Sequence, residues 1–367
     1  MVSDKTKRRR LIGTLTSSSP SLPTLPFDLI PEILCRLPVK FLLQFRCICK
    51  LWKSLISDSK FTNKHLTLST TRTLHCISYS HNVNVLLNSY SLDSTFTSIT
   101  QTQFPSPDTN VSFVGSCNGI LCLVIHGVDL VLLKLWNPSI RKFKELHLPP
   151  ISDPQKFPFM YGFRYDPISD NYKVVVVFCD DVSSESEVKV HTLGTDSWKS
   201  VPEFPFLTVS VSAQPSGQYV SGTINWSVYT GIKRFIVSFD LVNECYQEVL
   251  LPGDFDKVDE HKLRLTVFRD CLCMIYGEDV WVMKEYGNKE SWTKLFNISY
   301  MRHPRAPSYG DIKAICVFED EQVLLYREDE RWRHISYNYK NDTSKFIAFE
   351  NESNLGVCVE SLISPCF

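Results

Sequence analysis

One unit returns along most of this chain: an apolar run ending near Asn, Asp or Gly, a polar turn, then an aromatic that opens a second run. Its clearest copies are LWNPSIRKFKEL, VHTLGTDSWKSV, SFDLVNECYQEV and VWVMKEYGNKESWTKLF, with weaker ones in SYSLDSTFTSI and SYNYKNDTSKFIAF. The marker aromatics Phe96, Phe143, Trp198, Tyr246, Trp292 and Phe346 follow one another at 47, 55, 48, 46 and 54 residues. A repeat of this length is one supersecondary unit that cannot bury its own apolar face and must stack on its neighbours. Few single-core architectures satisfy that.

Between the markers lie strand-like runs at 119–125, 172–178, 222–228, 272–276 and 322–326, several bounded by turn residues such as Asp166-Pro167 and Ser169-Asp170-Asn171. The stretch Val174, Val175, Val176, Val177 does not alternate apolar with polar, as expected of a strand covered on both faces. A period near 50 residues is that of kelch-type propeller blades, and the markers imply an all-β ring of about six. A further strand at 354–363 is expected to pair with the first blade and close the ring, which removes two exposed sheet edges.

Ahead of the repeat the period changes. Ile30, Ile33, Leu34 and Leu37 recur at i, i+3, i+4, i+7, with Asp28 placed to cap, Pro31 tolerable in the opening turn and Pro38 ending the run. From Val39 a second, longer helical run places Leu42, Phe45, Ile48, Cys49, Trp52, Leu55 and Ile56 three or four apart, with Lys40, Gln44, Arg46, Lys50 and Lys53 between them. A unit of roughly 40 residues seldom encloses enough volume for so many large apolar side chains. Part of this stripe is expected to seek another surface, of the same chain or of another protein.

The helical segment LPFDLIPEILCRLPVK followed by FRCICKLWKSLI resembles the F-box, the segment by which substrate receptors dock onto the adaptor subunit of cullin-RING ubiquitin ligases. Leu25-Pro26, Glu32-Ile33-Leu34, Leu37-Pro38 and Cys49-Lys50-Leu51-Trp52 carry the likeness, while Phe41 stands where the family often has a small polar residue and Ile48 replaces a common Val. The resemblance implies an adaptor surface built from Leu25, Pro26, Leu29, Ile33, Leu34, Leu37, Pro38, Leu42 and Trp52, some of them shared with the internal core.

The segments GSCNGILCL, LWNPSIRKFKEL, YGFRYDPISDNYKVV and VWVMKEYGNKESWTKLF in turn resemble the plant F-box-associated domain that commonly follows an F-box; Arg164 stands where relatives usually have Gly, and Asn225 where a His-Trp pair is usual. The expected organisation is a basic, Ser/Pro-rich disordered leader at 1–24, a small all-α F-box of three-helix type at 25–66 and a β-propeller-like domain at 67–367.

The resemblances imply a non-catalytic substrate-recognition subunit of an SCF-type ligase, with the adaptor, and through it cullin and RING subunits, as partners, and a target protein held by the β-domain. Rigid strands leave recognition to loops, here 150–160, 202–218, 252–261 and 299–310, whose aromatics Phe157, Phe159, Phe204 and Phe206 are candidate target anchors where they face solvent. The alternative reading is a propeller enzyme or small-ligand-binding propeller whose helices only pack. Turnover of a small substrate without partners favours that alternative, and co-purification of adaptor and cullin favours the receptor.

Composition narrows the chemistry. A net charge of −1 gives no reason to expect a nucleic-acid groove or a membrane surface. Thirteen Cys at no framework spacing, with no signal-peptide core, are expected to be reduced in a cytoplasmic and/or nuclear protein; the run KRRR at 7–10 is a candidate import signal. No phosphate loop, nucleophile elbow or zinc spacing is present, so no cofactor is expected. Cys271 and Cys273 share a strand face without two further ligands, and His126, His147, His191 and His303 form no triad pattern, so both groups read as packing residues. Trp136, Trp198, Trp226, Trp281 and Trp292 lie on the repeat and read as blade packing.

Overall fold

The computed structural model describes residues 29–79, 85–92, 99–103, 110–127, 131–149, 157–179, 186–195, 197–202, 204, 215–229, 233–253, 255, 263–277, 279–297, 312–317, 322–327, 333–338, 340–341, 343–347 and 352–366. A short helical region precedes an all-β propeller. The helices are α1 (Leu29–Leu34), α2 (Val39–Phe45), α3 (Lys50–Ser57) and α4 (Ser59–Leu68). The long run expected from Val39 to Ile56 is broken between α2 and α3, where Arg46, Cys47, Ile48 and Cys49 form a turn. The expected three helices are four, because Asp58 is extended and its carboxylate accepts from the N–H groups of Lys60 (2.9 Å) and Phe61 (3.2 Å), starting a new helix.

The strands form six four-stranded antiparallel sheets. The first contains β1 (Arg72–Tyr79), β2 (Val85–Ser91) and β3 (Ile99–Gln103). The second contains β4 (Asn110–Cys117), β5 (Ile120–His126), β6 (Val131–Asn137) and β7 (Lys142–His147). In the third are β8 (Phe157–Asp166), β9 (Asn171–Cys179), β10 (Ser186–Thr192) and β11 (Trp198–Val201). The fourth has β12 (Gln218–Val220), β13 (Thr223–Tyr229), β14 (Arg234–Asp240) and β15 (Tyr246–Val249). β16 (Leu263–Phe268), β17 (Cys271–Tyr276), β18 (Asp279–Met283) and β19 (Trp292–Asn297) make the fifth, and β20 (Ile312–Val317), β21 (Gln322–Arg327), β22 (Arg333–Asn338) and β23 (Thr343–Ile347) the sixth. The last strand, β24 (Glu352–Val359), returns to pair with β1 and completes the first sheet in the order β24-β1-β2-β3.

The inner strands meet in order: β24 lies against β4 and β20, β4 against β8, β8 against β12, β12 against β16 and β16 against β20. Hairpins between first and second strands are tight because the sequence supplies residues that accept positive φ. Asn118-Gly119, Ser221-Gly222 and Arg269-Asp270 all have φ between 47° and 86°, as a two-residue type I′ turn requires. Val174, Val175, Val176 and Val177 are fully buried in β9, covered on both faces as their lack of alternation implies.

The marker aromatics open outer strands. Trp198, Tyr246 and Trp292 begin β11, β15 and β19, Phe143 is the second residue of β7, and Phe346 falls in β23; Phe96 lies outside the described residues. Three of them reach back to the preceding sheet in the same way. Trp198 Nε1 donates to His147 O (3.0 Å), Tyr246 OH to Pro202 O (3.1 Å) and Trp292 Nε1 to Leu250 O (3.0 Å). At these three markers the repeat position carries a latch between sheets.

Alternating strand direction gives the propeller two distinct ends. Turns between first and second, and between third and fourth, strands share one end, and the remaining connections share the other. The helical region sits at the first end: α4 leads through Ser69, Thr70 and Thr71 into β1, and Ile140, in the turn between β6 and β7, packs into the helical core.

Candidate functional site

The helical unit closes its core with side chains from the propeller. Leu34, Cys35, Val39, Leu42, Ile56 and Phe61 are buried together, joined by Leu362 from beyond β24. Ile30, Leu37, Leu43, Phe45, Trp52, Leu55 and Ile140 pack around them, with the Phe45 and Trp52 rings edge to face at 5.3 Å. Buried His65 sets Nε2 3.0 Å from Leu37 O, and the Lys64 ammonium meets the Glu32 carboxylate, so α4 is tied back to the start of the unit.

Once that core is filled, a set of large apolar side chains is left outside. Leu29 (46% exposed), Ile33 (48%), Phe41 (47%), Ile48 (62%) and Leu51 (55%) face solvent. Leu29 and Ile33 are four apart on α1 and share its outer face. Isolated exposed apolar residues are ordinary, but five within 23 residues of a small helical unit mark a contact surface.

The residues proposed from the sequence divide accordingly. Leu29, Ile33 and Pro38 are exposed and available to a partner, whereas Leu37 and Trp52 are half-buried. Leu34 (3%) and Leu42 (0%) are core residues, the members of the set that the internal core takes rather than the surface: helical spacing puts them on the inward face, and the α3 and α4 side chains close over them. Leu25 and Pro26 lie outside the described residues. Sequence reading missed Leu51 and treated Phe41 and Ile48 only as departures from the family pattern. The usable signal was that Phe41 and Leu51 fall outside the inward helical stripe.

On the propeller, Phe204 is also corrected. It is 1% exposed and packs edge-on against Trp226 (6.2 Å) and Tyr246 (5.6 Å), so it fills the core and cannot anchor a target. Phe157 and Phe159 fall in β8 with no described side-chain placement, and Phe206 lies outside the described residues. Most of 150–160, 202–218, 252–261 and 299–310 is likewise outside them. The strands that bracket these segments, β7 and β8, β11 and β12, β15 and β16, β19 and β20, direct the bracketing ends to the face away from the helices.

Several buried polar groups have structural partners. Lys173 Nζ bonds Asp166 Oδ2 (2.9 Å) and Leu241 O (2.7 Å), linking the third sheet to a turn of the fourth. Burial works against the Asp166 charge, yet bonds from Lys173, Ser169 and the Ile168 N–H outweigh it and hold the carboxyl below its ordinary range. Asn225 donates to Gln218 O (3.0 Å) and accepts from Tyr286 OH (2.7 Å), which also meets Thr223 and Ser238 hydroxyls; this network joins the fourth and fifth sheets. Arg164 stacks 4.4 Å over the Tyr219 ring across the third and fourth sheets.

Cys273 is buried and its thiol is pushed up to about 12 by desolvation, with the neighbouring Cys271 adding to the shift. His191 is buried edge-on to Trp198 at 5.1 Å, and His126 is half-buried; His303 lies outside the described residues. Trp136, Trp226 and Trp292 are buried between strands. Among the described residues no three His, Cys, Asp or Glu side chains gather as a metal site requires, and no helix is long and apolar enough to cross a membrane.

A small helical unit with a filled core and a second, outward apolar surface is mounted on one end of a β-propeller. Residues 22–64 match the F-box domain and residues 67–365 the F-box associated beta propeller domain. The chain belongs to the plant F-box proteins with a C-terminal F-box-associated propeller domain. It is 32% identical over 292 residues to F-box/kelch-repeat protein At3g23880 of Arabidopsis thaliana, covering 75% of this chain and 79% of that protein. Against F-box protein At4g22390 of the same plant it is 31% identical over 375 residues, covering 93% and 90% respectively. Among solved structures, TolB from Acinetobacter baumannii is similar at 11% identity with a TM-score of 0.49, over 82% of this chain and 70% of that one.

Proposed function

We propose that this chain is the substrate-recognition subunit of an SCF-type ubiquitin ligase. The observation that carries the reading is the exposed apolar set Leu29, Ile33, Phe41, Ile48 and Leu51 beside a helical core that is already full. None of the described residues covers that surface, and the F-box match supports the adaptor subunit as its occupant, with cullin and RING subunits joining through the adaptor. The six sheets act as blades of one ring that holds a target protein on the face away from the F-box. The chain contributes proximity rather than bond chemistry: it raises the effective concentration of target lysines at the ubiquitin-loaded enzyme. It performs no catalytic step and works in the cytoplasm and/or nucleus.

The test is capture of purified adaptor by the full chain. Ile33→Asp combined with Ile48→Asp places two charges on the contact surface without entering the core, and is expected to reduce capture at least tenfold with the propeller's unfolding transition unchanged. A Leu25→Ala, Pro26→Ala pair is expected to do the same. Undiminished capture by the charged double variant sinks the surface assignment.

A further inference from the structure

The segment 360–366 after β24 is neither strand nor helix, yet its hydrogen bonds are dense and several are buried. Ser361 is fully buried. Its hydroxyl donates to Asn118 O (2.6 Å), in the turn between β4 and β5. The Asn137 amide, fully buried at the end of β6, directs Nδ2 at Ser361 O (3.1 Å), Ser361 Oγ (3.1 Å) and Ile363 O (2.7 Å), while its Oδ1 accepts from Ser139 N (2.9 Å). One side chain therefore grips the segment from the propeller. Gly119 lets it approach: a Cβ there would stand 2.1 Å from Ser361 Oγ.

The same segment grips the F-box. Leu362, 7% exposed, is part of the helical core with Leu34, Leu42 and Ile56, and Ile140 from the adjacent turn packs beside it. Ser69 Oγ donates to Glu360 O (3.1 Å) and Glu360 N to Thr71 O (3.1 Å), so the junction between α4 and β1 is pinned on both sides. Apart from these contacts, Ser69, Thr70 and Thr71 carry the chain from α4 into β1.

We infer that 360–366 is a strap that fixes the F-box in one orientation on the propeller, with Leu362 and Asn137 as its two positioning residues. The inference rests on the receptor reading for its use, since a ligase that works by proximity gains from a constant angle between adaptor and target; the rigidity itself stands without that reading.

The strap is tested on the full chain by dipolar distance measurement between spin labels attached to non-cysteine anchors at Lys53 and Val242, both exposed. The native chain is expected to give one narrow distance distribution. Leu362→Asp, which breaks the F-box grip, and Ile140→Asp, which charges the propeller side of the same contact, are each expected to broaden it at least twofold. Leu362→Met is expected to restore the native width. If Leu362→Asp also lowers helix content, the Ile140→Asp distribution decides, because that residue lies outside the F-box. Native width in the variant or variants that keep their helices overturns the strap. Adaptor capture, measured in parallel, is expected to persist in Ile140→Asp, and its failure in the native chain would overturn the receptor reading and leave the strap intact.

Discussion

At the scale of single residues, burial decides what a side chain does, and two positions give measurable consequences. His75 is buried in β1, its Nδ1 2.9 Å from Ser89 Oγ across the strand pair. Desolvation lowers its pKa from 6.5 to about 4. The unfolded chain then binds a proton that the folded one refuses, so stability falls as pH drops below 6.5 and levels off near 4. Between pH 7.5 and 5 the loss is about 2 kcal/mol, read from urea midpoints, and His75→Gln is expected to remove most of that slope. Trp292→Phe keeps an aromatic ring but deletes the bond to Leu250 O; about 1 kcal/mol of stability is expected to go, with no change in adaptor capture.

At the scale of elements, the F-box helices separate two kinds of apolar residue that one periodicity had merged. Leu42 is fully enclosed, so Leu42→Ala is expected to cost about 2–5 kcal/mol and melt the helical unit in far-ultraviolet circular dichroism. Ile48→Asp, at a 62% exposed site, is expected to change the melting midpoint by less than 2 °C while weakening adaptor capture. Helical spacing alone points toward both residues, because it reports an apolar face and not how wide a neighbour covers it. The break at residues 46–49 and the second start at Asp58 turn α3 and α4 against α1 and α2, and that folding back sorts core from surface.

At the scale of the molecule, ring closure depends on β24 taking the innermost place beside β1 and β4. Gly356 on β24 permits it, since a Cβ there would stand 2.1 Å from the Phe113 ring on β4. Gly356→Val is expected to lower propeller stability by about 1–3 kcal/mol, and Phe113→Ala in the same chain to recover part of that loss in thermal unfolding, a coupling that distant sites would not show. The latches from Trp198, Tyr246 and Trp292 make the third, fourth and fifth sheets each depend on the one before it. One cooperative unfolding transition for the ring is the consequence.

The sequence by itself determined the β repeat, its period, the turn that follows Asp166, the return of the last strand and the family of both halves. All of these rest on local chemistry: alternation, positive-φ residues and aromatic spacing are written within a few residues of where they act. It could not place Phe204 in the core, separate Leu34 and Leu42 from Ile33 and Ile48, or reveal that Leu362 completes the F-box core from more than 300 residues away. Those are long-range facts. Whether an apolar side chain is core or contact surface depends on which distant segment arrives to cover it, and only the tertiary structure brings that segment into place.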